Sequence, residues 1–183
     1  KENIVLLPVS GAPIVRAYDT FKQTLLQNPR VISVTAMDDI LGVSHNTHDF
    51  IPEGLPEDKW QFYPALVVRY DFLKTFNIKV LAGRAYNREM KTDPMSGIII
   101  NEAMVKHQGW ESNEAALGKK FYSRQGNEKV IGVVENFNAT SLHERAGPFV
   151  INIKEIPNIA NFFLKYIVIK IAPENQNETL RLI

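Results

Sequence analysis

The apolar residues of this chain fall into short β-branched runs and a few helical stripes, separated by turn-rich polar stretches. Asn3 to Val9 is an apolar run ended by Pro8 and Ser10-Gly11, and it reads as a first strand. Ile14 to Gln27 sets Ile14, Ala17 or Tyr18, Phe21 and Leu25 at helical spacing, with Arg16, Asp19, Lys22 and Gln23 opposite. Asn28-Pro29 ends that helix, because a residue before proline is pushed out of the helical region. Val31 to Met37 alternates and is β-branched, which predicts a strand. Strand, helix and strand in this order make a βαβ-like unit or half of a split one.

Asp38 to Asp58 is polar and rich in turn residues (Gly42, Pro52, Gly54, Pro56), and reads as a domain boundary and an excursion. Trp60 to Arg69 predicts a long strand, bulged or at an edge at Pro64. Asp71 opens a short helix over Phe72 to Phe76, capped on its N-terminal side. Ile78 to Ala82 is a strand ending at Gly83, and Arg84 to Ser96 a polar loop. Ile98-Ile99-Ile100 is too short for a core helix and reads as a buried strand. Asn101 can cap the helix that follows, with Ala103 and Met104 on its apolar stripe, and Gly109 stops it.

Ser112 starts a second small helix through Ala115, Ala116 and Leu117, closed by Gly118. Lys119 to Ser123 and Lys129 to Asn138 read as strands joined by a turn at Gln125-Gly126-Asn127. Val130 to Val134 is apolar on both faces, so it is expected to be covered on both sides. A polar loop ending at Gly147-Pro148 leads to a strand over Val150 to Ile153. Ile156 to Leu164 is unassigned, and Tyr166 to Ile171 is a strand. Beyond Pro173 a final helix opens on Asn175 and Glu178 as a capping pair and runs out on Leu182-Ile183.

Five pieces of the central stretch form an ordered series: Asn101-Glu102-Ala103, Gly109-Trp110, Gly118-Lys119, Gly132-Val133-Val134-Glu135-Asn136-Phe137 and Ser141-Leu142-His143. This series resembles the extracytoplasmic domain of FtsX-like ABC transporter permeases, the MacB-like periplasmic core domain. The resemblance implies an α+β fold: a ferredoxin-like βαβ subdomain, its second half truncated, with an inserted mixed α/β subdomain. Residues 1–40 and 153–183 would form the ferredoxin-like (porter-type) part, and 41–152 the inserted (sabre-type) part. The missing last strand of the second half would leave an open sheet edge.

Composition changes this picture little. The 183 residues carry a net charge of +1, and their basic residues form no stripe of the kind that binds nucleic acid. The chain has no cysteine, which removes disulfides, thiolate metal sites and thiol nucleophiles. No run approaches the roughly 18 apolar residues of a membrane span. Taken with the resemblance, the chain reads as a segment excised from between two membrane spans.

Candidate chemistry is sparse. His45-Asn46-Thr47-His48-Asp49 offers two imidazoles and a carboxylate, but in a glycine- and proline-rich loop without an evident third donor and supporting shell. His107 and His143 read as surface or packing residues. Ser141 beside His143 lacks an orienting acid, and no nucleophile elbow is present. Asp38-Asp39 and Glu57-Asp58 read as solvated turns. Gly118-Lys119-Lys120 lacks the glycine spacing of a phosphate loop and precedes a strand. Trp60, Phe62, Tyr63, Phe72 and Phe76 fit a core better than a ligand cleft.

The expectation is therefore a domain with no catalytic, cofactor-binding or metal residues and no cofactor. The resemblance implies a non-enzymatic domain at the periplasmic face of the bacterial inner membrane, coupling cytoplasmic ATP hydrolysis to movement outside it. Its implied partners are an ABC ATPase subunit, reached through the membrane part of the parent protein, and a second permease or second periplasmic domain as a dimer. A periplasmic adaptor or substrate protein is a further candidate partner; the polar loops Gly42 to Asp58 and Arg84 to Ser96 read first as ordinary solvent loops and second as its contact surface. The alternative is a free-standing periplasmic ligand-binding or sensor module. A metalloenzyme built on His45 and His48 is the third reading.

Overall fold

The computed structural model describes residues 3–9, 17–42, 45–124, 126–139, 146–154 and 164–182. Its chain order is β1 (Ile4–Pro8), α1 (Tyr18–Leu26), β2 (Val31–Met37), β3 (Thr47–Pro52), β4 (Gln61–Val68), α2 (Phe72–Phe76) and β5 (Val80–Gly83). There follow α3 (Asp93–Ser96), β6 (Gly97–Asn101), α4 (Glu102–His107), β7 (Lys120–Ser123), β8 (Gly126–Val134), β9 (Val150–Ile153), β10 (Tyr166–Ile171) and α5 (Gln176–Leu182).

Six of these strands close on themselves. β3 pairs β4 and β7, β7 pairs β8, β8 pairs β6, β6 pairs β9, and β9 returns to pair β4. The result is a small barrel in which each of the six has a neighbour on both sides. β5 pairs the last part of β8, beside β7 on the same edge.

Alternation along the strands sorts the residues of the barrel into two sets. Phe50, Tyr63, Ala65, Ile98, Ile100, Phe121, Val130, Val133 and Val150 come from all six strands and pack as one cluster, so they fill the interior. Met104 and Val105 of α4 join them, which makes α4 the plug of one end. Leu66, Val68, Ile99, Val134, Ile151 and Ile153 point outward into a second cluster with Met37, Phe72, Phe76 and Val168. The three isoleucines of β6 are wholly buried, and each contributes roughly 1.5–3 kcal/mol of apolar burial.

The rest of the sheet is a split βαβ unit. β10 runs antiparallel between β1 and β2, in the order β1-β10-β2, and α1 packs on β2. This sheet meets the barrel where Met37 pairs Val68. The architecture is thus mixed α/β, dominated by strands. Among the described residues β1 pairs only β10.

Several expectations need correction. The polar excursion after Asp38 contains β3, a barrel stave: Asp49 pairs Arg124 and the backbone pairs two neighbours. Pro64, by contrast, is locally at an edge as expected: it pairs Thr47 of β3 on one side, and pairing to β9 begins only at Ala65. The stretch after Ser112 is a run of turns and not a helix, although Ser112 Oγ does accept from the Ala115 N–H at 3.1 Å. Arg84 to Ser96 includes α3, whose Asp93 is buried under a two-pronged Arg84 contact of 2.6 and 2.7 Å.

Asp71 does not cap α2 through its side chain. Its backbone is left-handed, and its carboxylate takes Lys22 of α1 at 2.5 Å. Likewise Glu178 of α5 pairs Arg30 at 2.5 Å in place of a capping box. The first part of the predicted α1 and the expected Ser141-Leu142-His143 piece lie outside the described residues, as does most of the unassigned stretch Ile156 to Leu164.

Candidate functional site

Opposite the α4 plug the barrel interior turns polar. A cavity of about 260 Å³ is lined by Thr47, His48, Asp49 and Phe50 of β3, Ser123 and Arg124 at the end of β7, Glu128 of β8 and Asn152 of β9. β9 borders none of β3, β7 and β8 in the ring, so a cavity touching all four opens into the barrel's mouth. Strand alternation explains the lining: Glu128 is two residues before Val130 on the inward face, and Asn152 two after Val150.

Glu128 and Asn152 are 1% and 2% exposed. One carboxylate oxygen of Glu128 accepts from Lys154, whose side chain is likewise buried. The other, Oε2, has no hydrogen-bond partner, and neither has Asn152 Oδ1. At the rim Asp49 pairs Arg124, whose guanidinium lies 5.1 Å over the Trp60 ring. Burial and the nearby Lys154 charge lower the His48 pKa, which favours its neutral form. Phe50 closes the floor, in edge contact with Phe121 at 5.8 Å.

The two histidines read as a metal pair go to different places. His48 lines the mouth. His45 turns to the other side, where Nε2 donates to the Ala139 carbonyl at 2.6 Å and the ring meets Phe149 edge-on at 5.1 Å. Its Nδ1 lies 3.7 Å from Asp39. Among the described residues no group of three or more histidines and carboxylates stands close enough to hold a metal ion.

The remaining candidates also scatter. His107 packs on Tyr63 at 5.6 Å, and Gln108 donates to the Tyr63 hydroxyl at 2.8 Å. Tyr63 belongs to the barrel interior, Phe72 and Phe76 to the outer cluster, and Phe62 is exposed, so the aromatics share no cleft. Asp38 is not a solvated turn residue: it is 3% exposed and accepts from the Val67 N–H at 2.9 Å. Burial raises its pKa to about 6. Lys119 reaches Glu53 at 2.8 Å, on the barrel's outer surface.

Of the described pieces of the ordered series, Asn101-Glu102-Ala103 and Gly132 to Phe137 meet at one helix. Asn101 Oδ1 accepts from the Met104 and Phe149 amides, and its Nδ2 donates to the Gly147 carbonyl at 2.8 Å. Asn136 Oδ1 accepts from Ala103 at 2.9 Å, so two motifs hold the head of one helix. Gly132 is required because a Cβ there would lie 2.3 Å from the Arg84 carbonyl. Trp110 packs on Phe121 at 5.9 Å beside the plug. These are structural roles. The sequence reading missed the mouth, although Glu128 and Asn152 interrupt inward-facing apolar positions and carry the signal.

No family model matches the sequence, and no curated protein matches it either. Solved structures do match. The periplasmic region of MacB from Actinobacillus actinomycetemcomitans superposes with a TM-score of 0.61 at 13% identity, over 99% of this chain and 82% of that one. The extracellular domain of YknZ, a noncanonic ABC-type transporter from Gram-positive bacteria, gives 0.62 at 12% identity, over 98% and 92%. The chain has the MacB periplasmic fold. The likeness read from the motifs therefore holds at the level of fold, over nearly the whole chain. In this chain that fold carries a barrel with one plugged end and one polar mouth. Among the described residues no helix is long and apolar enough to cross a membrane.

Proposed function

We propose that this chain is a non-catalytic extracytoplasmic domain of an ABC transporter permease, which transmits motion driven by ATP hydrolysis on the other side of the membrane. The observation that carries the reading is the match of nearly the whole chain to such domains in two separate transporters. The proposed partners are an ABC ATPase acting through the membrane part of a parent protein, a second such domain as a dimer, and a periplasmic adaptor or substrate protein. A closed barrel, rigid through its continuous ladder, is suited to moving as one body.

The division into a ferredoxin-like part (1–40 and 153–183) and an insertion (41–152) is retained as a proposal about topology. The β1-β10-β2 order supports it. Met37 and Val168 share one cluster with Leu66, Ile99 and Phe72, so the two parts would move together.

This segment contributes no cysteine of its own, so labels can be placed in it after any cysteine elsewhere in the parent is replaced. Ile32 and Phe62 are 51% and 65% exposed, one on the small sheet and one on the barrel. Spin labels on Ile32→Cys and Phe62→Cys in the full-length parent, with its ATPase, report distances between copies. ATP is expected to shift the distances between copies and leave the distance within one copy unchanged. Distances that ignore ATP, or a parent protein without membrane spans, overturn the reading.

A further inference from the structure

We propose that the polar mouth of the barrel binds a small, uncharged, polyhydroxylated guest such as a sugar ring or a polyol. The inference is independent of the transporter reading. It starts from two orphans: Glu128 Oε2 and Asn152 Oδ1 are acceptors on side chains all but sealed from solvent, and neither receives a hydrogen bond. Buried acceptors without donors are rare in folded proteins. Both belong to residues that line one cavity, so a single guest bringing donors can satisfy them together once the two side chains turn toward it.

The charges define the guest. Glu128 is matched by Lys154 and Asp49 by Arg124, so the carboxylates are already neutralised. A cation entering here meets an ammonium and a guanidinium as well as two carboxylates, and an anion meets the reverse. Neither gains much net Coulomb energy. A metal ion needs several oxygens free of competing cations, which these paired carboxylates are not. A hydroxyl group suits the mouth better. It donates to Glu128 or Asn152 and accepts from the basic groups beside them.

Size and floor agree. A volume of about 260 Å³ holds about nine waters, or a guest of similar bulk. Phe50, 1% exposed, backs the polar groups as an apolar wall, so a guest is held by a few directed polar atoms and not by stacking.

The test is titration of the isotope-labelled chain with glucose, myo-inositol and glycerol, with methylammonium and acetate as charged controls, read by amide chemical shifts. Saturable shifts are expected with at least one hydroxylated compound, at Thr47, His48, Asp49, Ser123, Arg124, Glu128 and Asn152. Asn152→Leu is expected to remove them. Should that variant lose its dispersed spectrum, Thr47→Trp, placed at the exposed rim, is expected to block entry instead. The proposal is overturned by the absence of saturable shifts at millimolar concentration, or by shifts located elsewhere. It is overturned equally by a matching response to a charged control, or by a response that survives these substitutions.

Discussion

The side-chain oxygen of Asn101 accepts from the Phe149 amide at 3.0 Å, 48 residues further along the chain, and from Met104 at the same distance. One buried side chain thereby fixes the helix that plugs the barrel to the strand that closes it. Replacing it with alanine removes a helix cap and leaves the Phe149 amide and the Gly147 carbonyl without their partner. Asn101→Ala should lose about 2–4 kcal/mol in urea denaturation. Asn136→Ala, which removes one exposed contact to Ala103, should lose about 1 kcal/mol or less. Equal losses would show that the plug is not organised around Asn101.

Gly132 and Gly83 face each other where β5 crosses β8. A methyl group on Gly132 would meet the backbone of Arg84, which cannot swing aside as a side chain can. Gly132→Ala should destabilise by about 2–3 kcal/mol. Gly109→Ala, with open space around it, should cost less and only through its left-handed backbone. Thermal melts of the two variants rank them directly.

Asp38 gives the fold a pH dependence. Its folded pKa of about 6 stands above the ordinary value of 3.8, because burial disfavours the charged form. The proton is therefore held more tightly when folded. The stability this contributes is complete below the unfolded value and is lost as pH rises through the folded one, by about 3 kcal/mol. Asp38→Asn keeps an acceptor for Val67. It should raise the denaturation midpoint at pH 8, with the advantage vanishing by about pH 4. A constant difference across that range would exclude the carboxyl as its source.

Glu128 and Lys154 form an ion pair inside the barrel. Lys154→Met leaves a buried carboxylate uncompensated and should cost about 3–5 kcal/mol. Combining it with Glu128→Leu should restore most of that stability, since desolvation of both charges disappears together. A double variant as unstable as the single one would mean that the pair itself specifies the barrel.

His48 runs the opposite way to Asp38. Its folded pKa is depressed by burial and by Lys154, so its contribution is present above the ordinary value of 6.5 and is lost as pH falls below it. His48→Gln should therefore be less sensitive than the parent to acidification from pH 7 to 5, measured by the same denaturation curves. An identical acid slope would assign that loss to other groups.

Much of the chain was legible from residues alone, because periodicity and local caps are short-range properties. β2, α2, β6, β9 and β10 lie where their apolar runs put them. Asn101 caps α4, and Gly109, with φ of 70°, ends it, as glycine and asparagine at those positions require. The ordered motifs pointed to a fold that superposition supports at identities of 12–13%.

What the tertiary structure alone decided is closure. Local pattern does not reveal that β9 returns to pair β4, so nothing in the composition of Thr47 to Pro52 marks it as a stave. Once the ring closes, His48, Glu128 and Asn152 become interior, and polar residues that break an apolar pattern on separate strands come to share one cavity. His45 goes instead to Ala139 and Phe149, and Asp38 is buried where β2 meets β4. Burial and neighbours set the chemistry of a side chain, and both depend on contacts between residues far apart in sequence.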